Sequence, residues 1–98
     1  MTVPKYEVCQ LRYKTESGSL FSGPRWRVVF EAEKTSFAGS ENIASVEIPC
    51  KNLEKVSEAI NEAHNSILQR LLTDGWEPVG TDETGKIMAF RRPITDSE

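Results

Sequence analysis

The stretch that most constrains this chain runs from Leu53 to Arg92, where a long amphipathic helix ends at a glycine and hands over to a short, aromatic-led strand. At about 100° per residue, Leu53, Val56, Ile60, Ile67, Leu68 and Leu71 fall on one face, with Ala63 and Leu72 at its borders. Glu54, Lys55, Glu58, Glu62, Asn65, Ser66, Gln69 and Thr73 fall opposite. Such segregation describes a helix lying on a core with its back in water. Asn52 is suited to the N-cap, because its side-chain oxygen can accept a bond from a free first-turn N–H. Pro49 discourages an earlier start. Glu54 and Glu58 suit the positive end of the helix dipole and Arg70 the negative end. Gly75 can take the left-handed conformation that closes a helix. The helix is therefore expected over about Leu53 to Thr73, roughly 30 Å long at 1.5 Å per residue.

A chain of 98 residues is read as one domain, able to bury somewhat over ~60% of its unfolded surface without disulfide or metal support. Hydrophobic content of 38% and charged content of 28% mark a soluble globular chain, not a disordered one. No apolar run approaches the ~18 residues of a membrane span, and the first residues lack the apolar core of a signal peptide, so the cytoplasm is the expected location. In that setting Cys9 and Cys50 read as free thiols. The net charge of −3 opposes binding to a phosphate backbone through bulk electrostatics.

The strands follow from alternation. Lys5 to Tyr13 reads as a strand with Tyr6 and Val8 on one side and Cys9, Leu11 and Tyr13 on the other, a switch near Gln10 that suggests a bulge or a strand serving two surfaces. Thr15 to Pro24 is rich in Gly, Ser and Pro and reads as a flexible loop carrying Leu20 and Phe21, which either fold back onto the core or meet a partner. Arg25 to Lys34 gives the clearest strand: Trp26, Val28, Phe30 and Ala32 alternate with Arg25, Arg27, Val29, Glu31 and Glu33. Thr35 to Asn42 reads as a loop. Ile43 to Ile48 reads as an edge strand ended by Pro49. After the helix, Trp76 to Thr81 and Lys86 to Arg92 form a hairpin around Asp82-Glu83-Thr84-Gly85, with Met88 and Phe90 toward the helix and Ile87 and Ala89 away from it. Pro93 closes the last strand, and residues 94–98 form a polar tail expected to be disordered. The order β-β-β-α-β-β specifies an α+β fold: a mostly antiparallel sheet of four to five strands packed on one long helix, with the other sheet face or an edge left open for self-association or a protein partner.

Three strings of this chain resemble a family. Tyr6-Glu7-Val8, Leu71-Leu72-Thr73-Asp74-Gly75-Trp76-Glu77-Pro78-Val79 and Ile87-Met88-Ala89-Phe90-Arg91-Arg92-Pro93 are similar to a group of small bacterial domains of unknown function, which open on a Tyr-Glu strand, end their helix in Gly-Trp-Glu-x-Val and finish on a Phe-Lys/Arg-Arg-Pro strand. The likeness covers roughly half of the chain; residues 15 to 50 are longer than in the family, and Pro78 stands where Leu is usual. It implies a fold and no chemistry. Read physically, Gly75 frees the backbone to reverse and Trp76 anchors under the last helical turn.

Candidate chemistry is sparse. His64, the single histidine, sits near the centre of the apolar stripe. It reads either as a neutral core histidine bonded to Tyr6, Tyr13 or a backbone carbonyl, or as the polar centre of a ligand pocket between helix and sheet lined also by Trp76, Tyr6 and Tyr13. His64 with Cys9 and Cys50 offers soft metal ligands but without the close spacing of a zinc site, and Cys50 lies just ahead of the helix N-terminus, where a thiolate is favoured. No nucleophile, base and orienter set is recognisable, and the six glycines are scattered singly, so no phosphate loop, cofactor or metal is indicated. Arg25, Arg27, Lys86, Arg91 and Arg92 can form a basic strip, but Glu31 and Glu33 share the face of Arg25 and Arg27 and suggest cross-strand ion pairs. The reading is a non-enzymatic interaction module whose surface includes Leu11, Val29, Ile87, Leu20 and Phe21; the alternative is a small-ligand domain around His64.

Overall fold

The computed structural model describes residues 5–17, 26–36 and 39–94. Leu20, Phe21 and Arg25 lie outside these residues. The elements are β1 (Tyr6–Ser17), β2 (Trp26–Ser36), β3 (Gly39–Cys50), a 3₁₀ turn (Leu53–Lys55) that runs into α1 (Val56–Thr73), β4 (Glu77–Thr81) and β5 (Ile87–Pro93). The strands form one antiparallel sheet in the order β3-β2-β1-β5-β4, with α1 packed over β2 and β3. The α+β class and the β-β-β-α-β-β order match the expectation. No described helix is long and apolar enough to cross a membrane.

Both ends of the helix are made by local chemistry. The Asn52 side chain accepts the Lys55 N–H at 3.2 Å. At the other end Gly75 takes φ = 90°, the Gly75 N–H donates to the Leu72 carbonyl at 3.1 Å and the Trp76 N–H to the Leu71 carbonyl at 3.0 Å. This pair of bonds is a Schellman closure, and its usual apolar contact is present: Trp76 and Leu71 are both buried in the core. The tryptophan is thus a structural corner.

The long strands extend further than alternation alone indicates. β1 continues through Thr15, Glu16 and Ser17, which pair with Val28, Arg27 and Trp26. β3 begins at Gly39, so that Ser40, Glu41 and Asn42 are strand and not loop. Their polar composition resembles a loop, but the backbone of an antiparallel ladder needs only a partner, and β2 supplies one. The irregularity suspected near Gln10 is absent, since β1 pairs with β2 without interruption from Val8↔Thr35 to Ser17↔Trp26. A bulge does occur in β3, where Ile43 is the extra residue between the pairs Ala32↔Ala44 and Glu33↔Asn42.

Register decides which face is buried. Phe30 and Ala32 of β2 face the helix, and their β1 partners are Tyr13 and Leu11, while Cys9 lies opposite Phe90. Cys9, Leu11, Val28, Phe30, Ala32, Ala44 and Phe90 from the sheet meet Ala59, Ala63, Ile67 and Leu71 from the helix in one core. Leu11 is therefore core and not interaction surface, a correction to the reading from alternation. Tyr6 and Val8 belong to the open face and are 41% and 43% exposed.

Candidate functional site

The four residues proposed to line one pocket are dispersed. His64 is buried, and its Nε2–H donates to the Ile87 carbonyl at 2.8 Å; because a carbonyl can only accept, the bond fixes the Nε2–H tautomer. Ile87 lies two residues past the last β1–β5 pair, Gln10↔Ala89, so the histidine satisfies a strand carbonyl near the point where β5 leaves β1. The ring also packs on Phe30 at 5.7 Å, and Phe30 stacks on Tyr13 at 4.9 Å. Tyr13, 47% exposed, is the outer member of this filled row of rings. Trp76 lies at the far end of the helix, beneath the Arg92 guanidinium at 4.4 Å. Tyr6 lies on the other sheet face, beneath Arg91 at 4.5 Å. His64 is thus the bonded core histidine of the two readings.

The cysteines are likewise apart. Both are buried free thiols. Their β2 partners are Lys34 and Trp26, eight positions apart, which separates Cys9 from Cys50 by about 26 Å at 3.3 Å per residue. They can neither pair with each other nor share a metal with His64. Burial pushes the Cys9 thiol up to about 11, with Arg92 pulling weakly the other way. Among the described residues, no three His, Cys, Asp or Glu side chains gather as a metal site.

The open face of the sheet is a lattice of ion pairs. Arg12 meets Glu33 at 2.6 Å, Arg27 meets Glu16 at 2.9 Å and Glu47 at 3.2 Å, Lys14 meets Glu16 at 3.0 Å, and Arg91 meets Glu77 at 3.4 Å. Bonds from Lys14 and then Arg27 hold the Glu16 carboxyl below the usual range, and those from Glu16 raise Arg27. Val29 does face this side, but it lies between its cross-strand neighbours Lys14 and Glu47 and is only 8% exposed. Their aliphatic stems shelter it. Ile87, expected on the open face, instead packs against the core with Met88. The β4–β5 register shifts at Pro78/Gly80 and Gly80/Thr81, and such shifts turn side chains away from simple alternation. The spare apolar surface expected from Leu11, Val29 and Ile87 is therefore not available, and a depression of about 300 Å³ there is lined mostly by Arg12, Lys14, Val29 and Glu31.

What remains is the two edges of the sheet. β4 is only five residues long, contains Pro78 and is bulged at Val79. Those features blunt an edge against pairing. β3 has twelve residues, with the Ile43 bulge and Pro49 toward its ends and the regular run Ala44–Ile48 between them. Among the described residues no strand pairs with its outer side. A groove of about 270 Å³ follows this edge, between Ile48, Pro49 and Cys50 on the sheet, Lys55 on the 3₁₀ turn and Glu58 and Glu62 on the helix. Pro49 is the sequence signal for this edge; the polar start of β3 hid its length.

Compared with family models, with curated proteins and with solved structures, the chain gives no match.

Proposed function

We propose that this chain is a non-enzymatic protein-interaction module that engages its partner by strand addition at β3. The observation that carries the reading is the regular outer edge over Ser45–Ile48, which no strand pairs with among the described residues, beside a sheet whose other edge is short and blunted; the neighbouring Ala44 N–H is held by the Asn42 side chain at 3.2 Å. An exposed row of backbone N–H and C=O groups is a ready template for another strand. Two further features support it. The charged residues of the open face are largely paired with one another, and Leu11 and Ile87 are spent on the core. The competing ligand reading loses its centre, because the His64 ring is buried against Phe30 and bonded to Ile87. The likeness to small bacterial domains at Gly75-Trp76-Glu77 bears on the corner after the helix and adds no activity.

The test uses adjacent prolines. Successive strand residues point their N–H groups to opposite sides, so one of Ser45→Pro and Val46→Pro removes an outward donor while leaving the β2–β3 ladder intact. That variant is expected to keep the wild-type melting temperature and circular dichroism, and to lose whatever partner, including a second copy of the chain, the wild type binds. A partner held equally by wild type and both proline variants overturns the reading.

A further inference from the structure

We infer that Asp74–Gly75 is a site of spontaneous covalent modification, where the chain isomerises to isoaspartate, and that Arg92 is the latch that restrains it. The modification releases the corner between α1 and β4.

The residues supply the chemistry. Asp74–Gly75 is the one place in the sequence where glycine follows an aspartate or asparagine; the other glycines follow Ser, Ala, Val or Thr. Both residues are exposed. The Gly75 nitrogen attacks Cγ of the protonated Asp74 carboxyl, an N–Cγ bond forms, and the hydroxyl leaves as water to close a succinimide ring. Water then adds to either ring carbonyl. Addition at Cγ returns aspartate; addition at the former main-chain carbonyl breaks its bond to Gly75 and leaves the chain running through Cβ and Cγ, as isoaspartate. One water is lost and one is gained, with no oxidant or reductant. Glycine favours the closure because no side chain shields its nitrogen and its backbone turns freely.

The fold holds the reacting atoms apart. Asp74 has ψ = 6°, so the Gly75 nitrogen eclipses the nitrogen of Asp74 itself and is turned away from Cβ. The Gly75 N–H is bonded to the Leu72 carbonyl at 3.1 Å, and the Asp74 carbonyl accepts from Arg92 Nη1 at 3.1 Å. Because the peptide is planar, the rotation that brings the nitrogen to Cγ swings the Asp74 carbonyl with it, and both bonds break in one motion. Arg92 is itself fixed by Glu7 at 2.8 Å and by the Trp76 ring at 4.4 Å. The rate of isomerisation in the folded protein therefore follows opening of this corner, a local event and not global unfolding. The product carries an extra main-chain carbon between the Asp74 Cα and Gly75. That insertion throws the Trp76 N–H out of register with the Leu71 carbonyl, which it meets at 3.0 Å in the closed corner.

Ageing the full chain in warm, mildly acidic buffer, with isoaspartate located by peptide mapping and electron-transfer fragmentation, tests the site and the latch. Wild type, Arg92→Leu and Val28→Ala are compared, with wild type in urea alongside. Val28→Ala removes core volume from β2 where it pairs with Thr15, away from the Cys9 and Lys34 end that adjoins the corner, and so destabilises the fold with the latch intact. Isoaspartate is expected to build up at Asp74 slowly in folded wild type, roughly tenfold faster in Arg92→Leu, as the loss of a hydrogen bond from a charged group implies, and fastest in urea. Val28→Ala is expected to stay close to wild type. Equal acceleration in the two variants overturns the latch. Equal rates in native and urea-treated wild type overturn the restraint by the fold, and isoaspartate that forms elsewhere before Asp74, or nowhere, overturns the site. The isomerised fraction, separated by ion exchange, is expected to melt several degrees below the unmodified protein; identical melting overturns the release of the corner.

Discussion

Arg92 ties three parts of the molecule together through one side chain. Its guanidinium bonds Glu7 on β1 at 2.8 Å, donates to the Asp74 carbonyl just beyond the helix at 3.1 Å, and lies over the Trp76 ring at 4.4 Å. A planar fork with five donors can do all three; an ammonium can hold only the charge. Arg92→Leu is expected to lower the unfolding free energy by about 2 kcal/mol, from the lost cation–π contact and the loss of the nearer of the two cations that hold Glu7, Lys34 remaining at 3.4 Å. Arg92→Lys, which keeps the charge, is expected to lose roughly half as much. Urea titration of the two variants side by side reads the difference; equal losses would show that the planar group, not the ion pair, is what matters.

At the scale of elements, the helix is the part that its own residues specify. Asn52 at one end and Gly75 at the other act within a few residues of themselves, and the apolar stripe between them has the helical period, so both ends were legible from the chain alone. Gly75 is the position where the backbone requires glycine: at φ = 90° a side chain is strained although Arg92 leaves room for a Cβ at 3.8 Å. Gly75→Ala is expected to cost about 1–2 kcal/mol, a fall of several degrees in melting temperature by calorimetry for a domain of this size. The sheet was less legible, for two physical reasons. Pairing is long-range, so the polar residues Ser40, Glu41 and Asn42 carry no local sign that Thr35, Lys34 and Glu33 will bond them. Alternation, moreover, sorts β1 into two sets without saying which meets the helix; the match of Leu11 to Ala32 and Tyr13 to Phe30 decides it. The candidate site suffered most, because a pocket around His64, Tyr6, Tyr13 and Trp76 presupposed a face assignment that only the register provides.

For the whole molecule, acid sensitivity follows from the ion cluster that joins β1, β2 and β5. Burial acts to raise the Glu7 carboxyl, but its bond and charge from Arg92 and the charge of Lys34 outweigh this and hold it below its ordinary 4.5. A carboxylate with a depressed folded value stabilises the fold fully above its unfolded value and loses that contribution as pH falls through the folded one. Unfolding free energy is therefore expected to be steady above about pH 5 and to decline below it. Glu7→Gln should be less stable than wild type at pH 7, with the gap closing toward pH 3; a gap that stays constant in chemical denaturation would refute the linkage. The strand order also bears on synthesis. β1 is made before the other described strands and ends in the middle of the sheet, between β2 and β5. On a ribosome β1, β2 and β3 can zip into a meander as they emerge, yet Cys9 and Leu11 stay wet until α1 follows, and the inner edge of β1 stays unpaired until β5 leaves the exit tunnel. A nascent chain halted before β5 presents two long open edges, at β3 and at what becomes the sheet's centre, where the complete sheet has one long edge and the short, blunted β4, and is the form with most need of a chaperone.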